Sequence, residues 1–158
     1  MIEQEPETND HSQSNHTEDD FTPWHDYFGG LFKESLIPLD LEVESNYAIG
    51  KGPPRVDLLI IRKENTNWTE SQLKYLPDGV RQSKRRHIIM ELKKTQSISI
   101  RSVWQSMGYL NSYLNLKEIE PDEVQVFIIS AKTPQKQTLN KLDFVKSSLS
   151  GFSISILH

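Results

Sequence analysis

The chain of 158 residues contains no cysteine. Disulfides and thiolate metal sites are therefore excluded, and any bound metal must rely on oxygen or imidazole ligands. No apolar run approaches the roughly 18 residues of a membrane span. P-loop, G-x-G-x-x-G and G-x-S-x-G stretches are absent as well. Histidine is scarce, and His11, His16, His25, His87 and His158 match no zinc spacing. His87 opens a strand and reads as a pairing or surface residue. No segment repeats.

The first 20 residues, MIEQEPETNDHSQSNHTEDD, lack lysine and arginine, carry seven acids, and offer only Met1 and Ile2 as apolar side chains. So little apolar surface cannot offset the entropy of ordering, which predicts a disordered acidic tail over 1–20 ahead of one domain over 21–158. The chain has 18 basic and 22 acidic residues, and setting the seven tail acids aside leaves 15. The domain is then about +3, mildly basic behind an acidic overall pI, which is compatible with a polyanionic partner. The acidic start is unlike a signal peptide, so a soluble cytoplasmic protein without membrane contact is expected.

What is present is an alternation of periodicities. Trp24, Phe28, Leu31 and Phe32 recur at helical spacing up to Pro38, with Gly29-Gly30 as the weak point. Leu39, Leu41 and Val43 alternate with acids as a half-buried strand does. RVDLLIIRK follows the GKGPP turn as a continuous apolar strand, the pattern of burial on both faces. A long polar connection, 64–86, holds a capping-box spacing at Thr69 and Gln72 and a PDG turn signal at 77–79. After the strand HIIMELK comes an amphipathic helix with Val103, Met107, Leu110 and Leu114 on one side, then the strand EVQVFIISA. A second long helix over 134–149 and a short strand, FSISIL, complete the order α-β-β-β-α-β-α-β. Strands joined by helices call for an α/β fold, a mixed sheet flanked by helices.

The stretch RRHIIMELKKT sets a carboxylate, Glu91, and an ammonium, Lys93, two apart on an apolar strand, so both share a face. Charges there are costly unless paired. Asp57 begins the preceding strand. If the two strands form an antiparallel hairpin, Asp57 lies beside Glu91 and Lys93. Two carboxylates and an ammonium together suit a hard divalent cation, which takes oxygen ligands and keeps several waters. Gln105 and Tyr109, i and i+4 on the next helix, form with Ser102 and Ser112 a polar stripe opposite the apolar one. Each feature has a plain alternative: a structural ion pair for Glu91 and Lys93, a turn residue for Asp57, a solvated face for Gln105 and Tyr109. Trp104 reads as a packing residue.

These residues resemble the PD-(D/E)XK nuclease superfamily, whose core is an α-β-β-β-α-β mixed fold, restriction-endonuclease-like. Asp57 stands for the motif's aspartate, and Glu91 to Lys93 for its acid-x-lysine. Gln105 and Tyr109 match the Q-x-x-x-Y element of several branches. More narrowly, VDLLIIRK, LPDGVR, IIMELKKT and QSMGYLNSYL are similar to small bacterial proteins of the recombination-promoting or transposase-associated nuclease type. The likeness spans about residues 24–132. Val56 rather than proline precedes Asp57.

The resemblance implies Mg²⁺- or Mn²⁺-dependent hydrolysis of DNA phosphodiesters. Asp57, Glu91 and the Leu92 carbonyl would hold the cation, and Lys93 would steer the attacking water. Gln105 would contact a phosphate or position Lys93. The acid of the first helix is best matched by Glu34, with Asp26 and Glu44 as competitors. Arg81, Lys84, Arg85 and Arg86, leading into the Glu91 strand, would bind neighbouring phosphates or merely solubilise a loop. A homodimer is compatible with cutting both strands. The rival expectation is a catalytically weak DNA- or protein-binding module on the same fold, engaging a partner protein through the acidic tail.

Overall fold

The computed structural model describes residues 23–50, 54–63, 67–94 and 96–142. The expected acidic tail, the second half of the last helix and the FSISIL strand lie outside the described residues. Within them, a four-stranded mixed sheet is ordered β1 (Leu41–Ala48), β2 (Arg55–Arg62), β3 (His87–Lys93), β4 (Val124–Ser130). β1–β2 and β2–β3 are antiparallel; β3–β4 are parallel. Helices α1 (Pro23–Leu36), α2 (Glu70–Leu73), α3 (Asp78–Arg81), α4 (Ile100–Lys117) and α5 (Lys136–Lys141) complete the α/β architecture. No described helix is long and apolar enough to cross a membrane.

Strand parity explains why the two central strands read as unbroken apolar runs. Leu58 and Ile60 of β2, with Ile88 and Met90 of β3, pack with Phe32 and Leu36 of α1 in one core layer. Leu59, Ile61 and Ile89 join Tyr113 of α4 and Val124 in the other. With a helix on each side, both faces must be apolar.

Gly29 does not break α1. A Cβ at that position would meet Ser45 Cβ at 2.6 Å, so the glycine lets the helix lie against β1. The helix gives way to a short 3₁₀ turn, Ile37–Leu39, closed by Asp40 in the left-handed region. β1 therefore starts at Leu41, two residues later than the alternation predicts. Thr69 and Gln72 form the expected capping box at α2. PDG opens the single helical turn of α3 rather than a plain turn.

α4 corrects the predicted stripe. Its buried residues are Ser102, Val103, Ser106 and Tyr113, while Met107, Leu110 and Leu114 are only half-buried. The two serines can be buried because their hydroxyls are satisfied inside the helix. Ser102 Oγ donates to the Ser99 carbonyl (2.7 Å) and Ser106 Oγ to the Ser102 carbonyl (3.0 Å). Tyr113, fully buried, bonds His87 Nδ1 through its hydroxyl at 2.7 Å, which makes His87 a core partner. Burial holds His87 below its ordinary pKa, helped by Arg86, and pushes Tyr113 up. Trp104, expected to pack, is 68% exposed.

Candidate metal centre

The antiparallel pairing of β2 with β3 reaches Leu58↔Met90. One step further, that register sets Asp57 opposite Glu91, and the side chain of Asp57 takes over from the backbone ladder. Its Oδ2 accepts the backbone N–H of Leu92 at 2.7 Å. The aspartate is thus tied to the centre of the Glu91–Leu92–Lys93 triplet, as the hairpin argument requires. On the other side of β2, the ladder joins Ser45 to Leu58 and Tyr47 to Val56 and skips Asn46, which has φ 53°. Asparagine is one of the few residues that adopt the left-handed region readily, so the irregularity beside Asp57 costs little here.

Glu91 is the unusual member. It is 3% exposed, and its Oε1 has no hydrogen-bond partner. Its pKa is pushed up to about 8, first by burial and then by the Asp57 charge. The Lys93 ammonium and a backbone bond from Asp57 pull the other way without cancelling that effect. A buried carboxyl oxygen with nothing to bond is a costly arrangement.

The first helix contributes a residue that the sequence reading passed over. His25 Nε2 lies 3.6 Å from Asp57 Oδ1. His25 falls on the stripe of α1 that carries Phe28, Gly29, Phe32 and Leu36, the face turned to the sheet. The signal is its spacing, three before Phe28 and seven before Phe32, which sets it on the apolar face of the helix. The expected helix acid, Glu34, is nine residues on, about half a turn away at 3.6 residues per turn, and exposed. Asp26 and Glu44 are exposed too. Next to His25, Trp24 stacks on its ring at 4.6 Å, and Lys94 Nζ lies 5.9 Å from the Trp24 ring. The start of α1 therefore overhangs the carboxyl end of β3.

Gln105 and Tyr109 come together as predicted, with Gln105 Nε2 donating to the Tyr109 hydroxyl. Gln105 is exposed, whereas Tyr109 packs against the core layer of Tyr113. The basic cluster is at the wrong end of the strand to flank the carboxylates. Arg86 precedes Glu91 by five residues, about 16 Å at strand rise. Three of its cations also hold the chain. Arg81 pairs with Asp78 and bonds the Leu76 carbonyl, Arg85 bonds the Asp122 carbonyl, and Arg86 bonds that of Arg62. Lys84 is exposed.

Among the described residues no group of three or more His, Asp or Glu is arranged to hold a metal ion. The Asp57–Glu91 pair fits a hard cation by other observations: two carboxyls held together across a strand pair, an adjacent main-chain carbonyl at Leu92, and the orphaned Oε1 of Glu91. Mg²⁺ ordinarily takes only one or two carboxylates and fills the remaining positions with water. No protein-family model, no curated protein and no solved structure matches the chain.

Proposed function

We propose that this domain is a divalent-metal-dependent phosphodiesterase acting on nucleic acid, with DNA as the substrate that the PD-(D/E)XK resemblance favours. The observation that carries the reading is the Asp57 carboxylate pinned to the Leu92 amide beside the buried Glu91 carboxyl, whose Oε1 has no hydrogen-bond partner. Asp57, Glu91 and the Leu92 carbonyl would hold Mg²⁺ or Mn²⁺. When bound, the ion supplies positive charge at the phosphate and acidifies water. Asp57 keeps its orientation through the Leu92 N–H, and His25 steadies its other oxygen. Lys93, half-buried on the same strand face as Glu91, aims its ammonium at the attacking water or a phosphate oxygen. Gln105, bonded to Tyr109 on α4, would contact a phosphate or position Lys93.

The test is plasmid nicking by the full chain. Cleavage should require Mg²⁺ or Mn²⁺, vanish in Lys93→Ala, and survive in Glu34→Gln. Folded protein that leaves plasmid intact with every divalent metal tried would sink the reading.

A second reading, a binding module on the same fold beside a partner protein, draws on the outer face of α1. Tyr27 is 69% exposed and Leu31, one turn on, 47%. Salt-sensitive DNA binding that persists in Glu91→Gln, with no cleavage by the wild type, would favour it.

A further inference from the structure

Beside the carboxylate pair lies a hollow that the catalytic reading does not use. It is lined by Ile98, Ile128, Ser130, Ala131, Lys132 and Pro134, together with Thr133, and encloses about 160 Å³. Its position follows from the parallel register of β3 and β4. Glu91 stands opposite Ile128, and Lys93 opposite Ser130. In this sheet, paired residues share a face, as Ile89 and Val126 do in the layer beneath α4. Ile128 and Ser130 are therefore the immediate lateral neighbours of the acid and the lysine. The rim is tied to the same strand, since the Ala131 N–H donates to the Lys93 carbonyl at 3.0 Å. Ser97 Oγ bonds the Thr133 carbonyl at 3.3 Å and joins the two loops that leave the strands. Crevices outside the carboxyl ends of neighbouring parallel strands are where α/β sheets bind ligands.

The lining is divided between apolar walls (Ile98, Ile128, Ala131 and Pro134) and one cation, Lys132, which is exposed at the mouth. A planar ring carrying an anionic group suits that division. Size narrows the choice further: a cavity of about 150 Å³ accommodates one benzene-sized ring. A pyrimidine matches that volume more closely than the larger purine does.

We infer that this hollow is a subsite for the nucleotide flanking the scissile phosphate, receiving a single-ring base between Ile98, Ile128 and Pro134 while Lys132 meets its phosphate. The inference rests on the phosphodiesterase reading and adds a preference for pyrimidine beside the cut. Ser130 Oγ, which donates to the Lys132 carbonyl at 2.8 Å, holds the turn that presents Lys132.

Two measurements separate this inference from its parent. In amide NMR titrations of the full chain, deoxythymidine monophosphate should shift Ile98, Ala131 and Thr133, and deoxyadenosine monophosphate should bind about tenfold more weakly. Ala131→Trp, a change at an exposed rim position, should abolish the thymidylate shifts and equalise the two. Lys132→Gln should weaken both by the same factor and leave their ratio intact. In Mn²⁺ cleavage assays, oligothymidylate should show a lower KM than oligoadenylate, a difference that Ala131→Trp removes. Equal binding of the two mononucleotides, or shifts elsewhere on the protein, overturns the subsite. Cleavage without base preference also overturns it while the phosphodiesterase reading stands. Thymidylate shifts at the hollow in a protein that cuts nothing would show a pyrimidine-nucleotide site there but overturn its place beside a cut, together with the parent reading.

Discussion

The Oδ2 atom of Asp57 accepts the backbone N–H of Leu92 at 2.7 Å, although the two residues are 35 positions apart. One side chain therefore does two things: it caps the end of the β2–β3 ladder and places a negative charge against Glu91. Asp57→Asn separates them, because an amide oxygen still accepts from Leu92 while the charge is gone. The variant should fold with a melting temperature near that of the wild type and show a lowered Glu91 pKa, since a like charge has been removed. Its Mn²⁺ affinity should fall at least roughly tenfold, one carboxylate ligand being lost. Carboxyl-carbon NMR of Glu91 and calorimetric Mn²⁺ titration read the two effects. An unchanged Glu91 pKa in this variant would contradict the arrangement.

Glu91 makes stability depend on pH in a defined direction. Its folded-state pKa of about 8 lies above the ordinary 4.5. Between those values the unfolded chain gives up the proton and the folded chain keeps it, so folding stability declines as pH rises from about 4.5 through about 8. At roughly 1.4 kcal/mol per unit, the full effect is on the order of 3–5 kcal/mol. Glu91→Gln should remove it. In EDTA, the variant should melt like the wild type near pH 4.5 and well above it near pH 8.5. Saturating Mg²⁺ or Mn²⁺ should raise the wild type's melting temperature at pH 8.5, by about 2.7 kcal/mol in stability at 100 times Kd, and raise the variant's by less at the same concentration. Parallel melting curves for the two proteins across this pH range would refute the buried-carboxyl account.

His25 and Glu34 offer a direct contrast on one helix. The imidazole lies 3.6 Å from Asp57 Oδ1, and Glu34 is exposed on the opposite face. His25→Ala should weaken Mn²⁺ binding about 10- to 100-fold, the range found when a group that orients a metal ligand is removed. Glu34→Gln should leave binding within about twofold of wild type. If the ranking inverts, the acid of the first helix reaches the site after all and His25 is a packing residue.

How far the sequence could be read depended on the range of the physics involved. Strand identity in 55–62 and 87–93 is a local property of apolar runs, and the capping box at Thr69 is a local hydrogen-bond pattern; both are visible along the chain. The meeting of Asp57 with Glu91 needed only one assumption, antiparallel pairing. The α4 stripe was misread because burial of serine has no hydrophobic signature: Ser102 and Ser106 bond within their own helix and so lie under it at little cost. The distance between the basic cluster and the carboxylates was legible all along, since five residues of extended strand put Arg86 about 16 Å from Glu91. His25 was missed because its partner is set by how α1 crosses β1, a tertiary fact.

That crossing depends on Gly29, where an added methyl would stand 2.6 Å from Ser45 Cβ. Taken alone, alanine favours a helix over glycine by about 1 kcal/mol. Overpacking at a helix–strand contact costs about 1–3 kcal/mol. Gly29→Ala should therefore fail to stabilise the protein and lower its stability by up to about 2 kcal/mol, despite its better propensity. Ser45→Gly removes the obstructing Cβ, so in that background Gly29→Ala should turn neutral or stabilising. The double-mutant cycle, read by urea unfolding, should give a coupling of at least roughly 1 kcal/mol. Because α1 also carries His25, the single variant should lose Mn²⁺ affinity as well, and Ser45→Gly should restore it. Gly29→Ala that stabilises the wild-type background would mean that α1 stands further from β1 and that His25 is not held on Asp57 by this contact.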